Sequence, residues 1–426
     1  MSETIAGSCA GPPPRSPSAA IARHAGLDWL RTGAFGLLIL YHIGLYFGPW
    51  GWHINAVDPV PDLIYALTLL NPWRMTLLFV VSGYASRALL SRSAPGAFLR
   101  SRSVRLLVPL AFGTLLVVAP QPWVEQRVAG NYDGGLLGYW LKSYLSPHVS
   151  GTPTFDNLWF LVYIWAYSMV IGLVVWALPA SARASLQRGA TRLLSGWRLL
   201  ALPILWLLMV RLVLLPTGAP TNRLLHDLSG HLGYFPAFLF GFLLARADGL
   251  RPVIRRLGGP AAMLAVAGYV VMAVLIYRLG GQEPASGTSA RMLFRAAASV
   301  MNWGVIIALL ALAERIGDPA PRWRPVLNNA VFPAYIVHQT AIVVVAWWLR
   351  PLGLPNGAQF VLILAGTAFA CWGFYTIGRL AGPFGLLFGL SNRPIPRRSG
   401  GSGGGLERPR NPPMRPRREF AKQGSA

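Results

Sequence analysis

Apolar residues along this chain come in runs. About ten stretches approach the length needed to cross a bilayer, at 32–47, 73–90, 104–118, 158–178, 199–215, 228–245, 260–277, 296–312, 331–349 and 360–380. A membrane-crossing helix needs roughly 20 predominantly apolar residues, so each stretch predicts a span. The second is preceded by a short apolar segment, 62–70, and the pair Asn71-Pro72 between them predicts a break. The fold class expected from this pattern is all-α: a polytopic membrane protein of about ten transmembrane helices.

Composition agrees with that class and removes others. Only 12% of the 426 residues are charged, against about 25% in soluble domains, and the mean hydropathy is +0.47. The formal net charge of +24 is concentrated in short arginine clusters between apolar runs. Such clusters are what cytoplasmic loops facing anionic lipid carry, so membrane lipid is the expected partner and nucleic acid is not. With the N-terminus inside, four inside loops hold 16 basic residues and five outside loops hold 7; the opposite orientation would invert every loop. Both termini are therefore expected in the cytoplasm, with the chain in the bacterial cytoplasmic (inner) membrane. Cys9 and Cys371 are too far apart to suggest a disulfide framework or a metal site. Residues 1–26 lack the apolar core of a signal peptide and are expected to be a disordered cytoplasmic segment, 27–390 the transmembrane domain, and 391–426 a disordered Gly-, Pro- and Arg-rich tail.

Ionisable groups inside spans are costly and mark function by default. On the first span, Asp28, Arg31 and His42 share one stripe. Arg31 and His42 are eleven helical steps apart, which brings them to nearly one face with a rise of ~16 Å between them. That spacing suits a long anionic ligand entering from the cytoplasm and presenting its reactive end at His42, and histidine is the common general base near neutral pH. Equally, Arg31 can be a lipid-facing anchor and His42 a hydrogen-bonding neighbour of another helix. Arg74, at the outer end of the second span, can either stabilise an oxyanion near His42 or extend to the interface. Arg211, on the fifth span, is expected to extend past Pro216 to the interface. Ser82, beside Gly83, is expected to be a packing residue. The outer loop 121–157, with Trp123, Tyr132, Tyr139, Trp140, Tyr144 and His148, predicts an interfacial aromatic belt or a surface that stacks on sugars.

The motif Leu-Asp-Trp-Leu-Arg31 followed eleven positions later by His42 resembles the opening of the acyltransferase-3 family of integral-membrane acyltransferases. Four further pieces follow in family order: Phe79-Val-Val-Ser-Gly-Tyr84, Phe98-Leu-Arg-Ser-Arg102-Ser-Val-Arg105-Leu-Leu-Val-Pro109, Leu158-Trp159-Phe160-Leu161 and Ala334-Tyr335-Ile336-Val337-His338-Gln339. The subgroup most similar is that of glucan-modifying acyltransferases. The resemblance implies transfer of an acyl group, often acetyl, from acyl-CoA as co-substrate, with no tightly bound cofactor, to a hydroxyl of an extracytoplasmic carbohydrate or other glycan-like acceptor. It implies His42 as catalytic base with Arg31 as its partner. Arg74 joins them as the candidate oxyanion donor. Arg102 and Arg105 are candidates for the CoA phosphates, which guanidinium groups match well, although simple positive-inside anchoring would also place them there. Trp159, Tyr335 and His338 are the candidate substrate-binding residues, an interhelical hydrogen bond being the ordinary role of such a histidine. The family pattern is broken at Asn157, where a histidine is common, and at Thr376, where an acidic residue is.

A different class, a secondary transporter or flippase for a glycan or lipid-linked intermediate, has similar spans. Transporters commonly show broken spans in two corresponding halves; the chain offers one break, at Asn71-Pro72, and no clear counterpart.

Overall fold

The computed structural model describes residues 25–146, 153–214, 221–285, 287–316 and 323–390. The expectations for the first 24 residues, for His148 and for the tail from 391 onward lie outside the described residues.

Thirteen α-helices make up the described chain. They are α1 (Ala25–Phe47), α2 (Leu63–Leu90), α3 (Pro95–Phe112), α4 (Pro120–Val128), α5 (Leu136–Tyr139), α6 (Trp159–Ala177) and α7 (Ala180–Leu193). After these come α8 (Arg198–Leu208), α9 (Leu228–Leu244), α10 (Leu250–Arg278), α11 (Ser289–Arg315), α12 (Arg324–Leu349) and α13 (Asn356–Leu380). Short π-helical turns extend α3 through Gly113–Val117 and α8 through Met209–Leu214. All ten apolar stretches are helical, as their runs predict.

Eight of these helical runs are long and apolar enough to cross a membrane. The expected count of about ten falls short at two places. Helix α8 contains Pro203, and with its extension it forms, together with α7, a pair bent by 92°. Helix α9 is apolar but has only 17 residues. The expected break at Asn71-Pro72 is absent: α2 runs through Pro72 without interruption. One proline removes a single backbone donor, and helices packed on all sides tolerate that inside a membrane.

Lipid supplies no hydrophobic drive between helices, so close backbone approach must hold them together. Helices α2 and α9 touch through reciprocal glycines. A Cβ at Gly83 would lie 1.9 Å from the Phe238 carbonyl oxygen, and one at Gly241 1.8 Å from that of Val80. Gly268 of α10 and Gly304 of α11 do the same for the next pair. Ser82 thus lies beside a helix crossing, and its carbonyl accepts a hydrogen bond from Ser86.

Helices α1 and α12 run parallel, and this seam positions the site. At its start Arg324 pairs with Asp28 at 3.1 Å, and Arg31 donates to both the backbone and side-chain oxygens of Asn328. At its far end His42 meets His338. The bundle thus has an Arg31 end and a His42 end.

Candidate active site

Both histidines reach the same point because the α1 and α12 seam keeps its register. His42 Nδ1 and His338 Nε2 are 3.2 Å apart, and His338 is fully buried. His338 Nδ1 lies 2.8 Å from the Tyr335 carbonyl oxygen. A carbonyl only accepts, so His338 Nδ1 carries the proton of the neutral ring, and its Nε2 presents a lone pair. His42 Nδ1 must then donate to it, which leaves His42 Nε2 as an unprotonated acceptor. The second histidine thereby fixes the first in the tautomer of a general base.

A cavity of about 1240 Å³ opens onto His42, with Tyr41, Arg74, Trp159, Tyr335 and Gln339 also in its wall; His338, expected to bind substrate, is fully buried behind His42 and outside that wall. Arg74 lies flat over the Tyr41 ring, 3.2 Å from its centre. Its Nε and Nη1 are buried with no hydrogen-bond partner, a state that native structures rarely leave unused. Trp159 is packed edge-on against Tyr163 and near Tyr234, which holds its ring at the cavity surface. Asp156 also faces the cavity. Its backbone has φ of 35°, a region that non-glycine residues seldom occupy, and its Oδ2 is buried without a partner. Such strain persists only where the surroundings impose it, and it gathers at functional sites.

Behind the histidines lies a polar network that the sequence did not announce. His53 Nδ1 pairs with Glu125 at 2.9 Å, and its Nε2 accepts from Gln339 at 3.1 Å. Gln339 also donates to Gln121, which donates in turn to Asn157 and to Thr340. Asn157 completes the link by donating to the Tyr335 carbonyl at 3.1 Å, while its own backbone oxygen accepts the Tyr335 hydroxyl. The departure from the family pattern at Asn157 therefore has a structural use, since it fastens the turn of α12 that orients His338. His53 escaped the sequence reading because it sits in the loop after α1, outside every span. Gln339 adjoins His338 in the motif and was the available signal.

The other candidates are distributed differently. Arg31 is not brought to His42. It is bonded to Asn328, ~16 Å back along the helix, so the direct partner of His42 is His338. Arg102 turns its guanidinium onto two buried hydroxyls, Ser168 at 3.1 Å and Ser86 at 3.4 Å, whereas Arg105 is exposed at the same end. Thr376 is exposed and bonds its own helix at the Trp372 carbonyl. Arg211 lines the cavity rather than extending away from it. In the outer loop, Tyr144 donates to the carbonyls of Thr114 and Thr154, and burial pushes its phenol above the ordinary range. Trp123 packs edge-on to Trp347 at 4.8 Å. These rings are structural packing between helices more than an open stacking surface. Among the described residues no group of three or more His, Cys, Asp or Glu is placed to hold a metal ion.

Comparison with known proteins agrees with the motifs. A family profile described as an acyltransferase domain, that of acyltransferase-3, matches residues 24–376. Among curated proteins, the glucans biosynthesis protein C of Salmonella paratyphi B and that of Salmonella heidelberg are each 27% identical over 151 residues. That stretch covers 35% of this chain and 38% of either relative. No solved structure matches the chain.

Proposed function

The chain belongs to the acyltransferase-3 family of membrane acyltransferases, and on that premise we propose that it moves an acyl group, acetyl in the simplest case, from cytoplasmic acyl-CoA to a hydroxyl of an extracytoplasmic carbohydrate. The observation that carries the reading is the fixed tautomer of His42 at the wall of a large cavity. A pocket of this size exceeds what most small ligands need and suits an oligosaccharide.

In this reading the acceptor hydroxyl enters the cavity and gives its proton to His42 Nε2 as its oxygen bonds to the thioester carbonyl carbon. The carbonyl oxygen becomes anionic at that moment. Arg74, close enough to His42 to interact with it electrostatically, offers its unpartnered Nε–H and Nη1–H to this oxygen. The C–S bond then breaks, and the CoA sulfur leaves with the proton that His42 holds. His338 neither takes nor gives a proton in the net step; it is a positioning residue. The CoA phosphates stay at the basic Arg31 end with the exposed Arg105, while the pantetheine arm covers the ~16 Å to His42. Asp156 and Trp159 hold the acceptor sugar, the carboxylate through hydroxyl hydrogen bonds and the indole through its face.

The test uses membranes containing the protein, radiolabelled acetyl-CoA and glycans extracted from the same cells. Wild type is expected to transfer label into the glycan fraction, and His42→Ala to lose about 10²–10⁴-fold of that rate, the usual contribution of a general base. Unchanged transfer in His42→Ala would remove the base assignment. Absence of transfer from any acyl-CoA by the wild type would remove the enzyme reading.

A further inference from the structure

The part of the cavity away from His42 is assigned to no step above. Its wall carries Arg211, Arg223, Arg291 and Arg295 against one carboxylate, Glu283. Glu283 is committed to Arg291, 2.6 Å away, and both are partly buried. Arg211 has no hydrogen-bond or carboxylate partner among the described residues, and its electrostatic neighbours are Tyr234 and a second cation, Arg295. Tyr234 in turn is within electrostatic reach of both Arg211 and Arg74, and two buried donors of Arg74 are unpartnered. Arg74, Arg211, Arg223, Arg291 and Arg295 thus line one cavity with the reacting histidine.

Like charges gathered around an internal space repel one another and lose hydration, so the arrangement is stable only with a counter-charge close by. A site for a neutral sugar needs both donors and acceptors, because every hydroxyl does both. The wall holds amide and hydroxyl groups as well, among them Asn222, Ser229 and Asn302. Its charged groups, however, are guanidinium donors in excess, Arg74, Arg211, Arg223, Arg291 and Arg295 against Asp156 and Glu283, and guanidinium groups match carboxylate and phosphate oxygens in paired geometry.

We propose that the acceptor is anionic, a glycan bearing a carboxylate or a phosphate, and that Arg211 holds this group while the hydroxyl to be acylated lies at His42. The proposal rests on the acyltransferase reading for what happens at His42, but binding is measurable without transfer. An anchor at a distance from the reacting bond also fixes which hydroxyl reaches His42, so it sets the position of acylation as well as affinity.

The experiment measures binding to the full-length protein in nanodiscs of zwitterionic lipid, by quenching of intrinsic tryptophan fluorescence. The probes are a neutral trisaccharide, its uronate counterpart, the same trisaccharide bearing one phosphate, and CoA. The uronate or the phosphate form is expected to bind about tenfold or more tightly than the neutral one, with affinity falling as salt rises. Arg211→Gln should remove most of that advantage, and Arg211→Lys should retain part of it, which separates charge recognition from misfolding. Equal affinity for all three sugars overturns the proposal. So does competition between CoA and the uronate with a parallel loss of CoA affinity in Arg211→Gln, because the arginines would then serve the donor. Selective uronate binding by a wild type that transfers no acyl group supports the anionic site while sinking the enzyme reading, so the two fail separately.

Discussion

The two ends of α1 face the same partner helix in the same register, yet their polar groups are used differently. At one end Asp28 and Arg31 meet Arg324 and Asn328, and the four side chains bond to one another. At the other His42 meets His338, and the groups around them face an open cavity: His42 itself, Arg74 with two unpartnered donors, and Asp156 with an unpartnered oxygen on a strained backbone. The Arg31 end is a clamp whose bonds close on the protein. The His42 end holds bonding capacity that only a substrate can complete. Reactive sites are recognised by what is left open, and the cost of leaving it open must be met by a rigid seam elsewhere.

Breaking the tautomer lock should have the largest effect on this contrast. His338→Leu removes the ring nitrogen that accepts from His42 Nδ1 and leaves only the Leu38 backbone carbonyl beside His42, so the rate of transfer should fall, by up to the roughly 10²–10⁴-fold seen when the group orienting a catalytic histidine is lost. His338→Gln still presents an oxygen lone pair and should recover a measurable part of the rate. A residual rate in His338→Gln no higher than in His338→Leu, with an unaltered pH–rate profile and in protein shown to be folded, would mean that His338 is a packing residue.

Arg74→Ala comes next. Removing one oxyanion donor costs on the order of 10²–10³ in kcat, and KM for acyl-CoA should change little, because the anion exists only in the transition state. If KM rises instead and kcat holds, Arg74 binds ground-state substrate and belongs with the other cations of the cavity.

The register of that contrast was only partly readable from the chain. Runs of apolar residues located all ten helical stretches, because backbone groups in lipid must close their bonds within the segment. They missed the true length of α10 and α11, whose first turns carry Arg251, Arg255, Arg256, Arg291 and Arg295. These turns are polar by composition and helical by continuity. The Arg31 and His42 stripe was legible from helical periodicity alone, and the family motif marked His338 and Tyr335. What periodicity within one helix cannot report is which helices touch. His42 pairs with a residue 296 positions away, and the network from Glu125 through His53, Gln339 and Gln121 to Asn157 draws on four separate segments. Asp156 shows only as a neighbour of Asn157 in the sequence, since strain belongs to the folded loop.

Asp156→Asn should act more weakly. It keeps the left-handed backbone, which Asn tolerates, and removes the charge offered to the acceptor. A hydrogen bond to a charged group is worth about 1.5–3 kcal/mol, so KM for the acceptor should rise roughly tenfold or more with KM for acyl-CoA unchanged. Asp156→Gly supplies the complementary measurement: it relieves the strain, stored at about 1–3 kcal/mol, so the thermal midpoint should rise while acceptor affinity falls. A fall in both would mean that the carboxylate holds the loop and not the sugar.

The smallest effects are expected at the Arg31 end, and they divide Arg102 from Arg105. Arg105 is exposed, and an exposed charge contributes about 0.2–1 kcal/mol, so Arg105→Gln should raise KM for acyl-CoA by up to about fivefold and make it less sensitive to salt. Arg102 is bonded inward to Ser86 and Ser168, both fully buried. Arg102→Gln should therefore appear first in a lowered thermal midpoint, because two buried hydroxyls lose a donor that no lipid replaces. If the outcomes are exchanged, with Arg102→Gln altering KM for acyl-CoA at full stability, then Arg102 leaves its serines when the donor binds. The Arg31 end would then be a docking site that rearranges, and the clear difference between the two ends of α1 would narrow to one of degree.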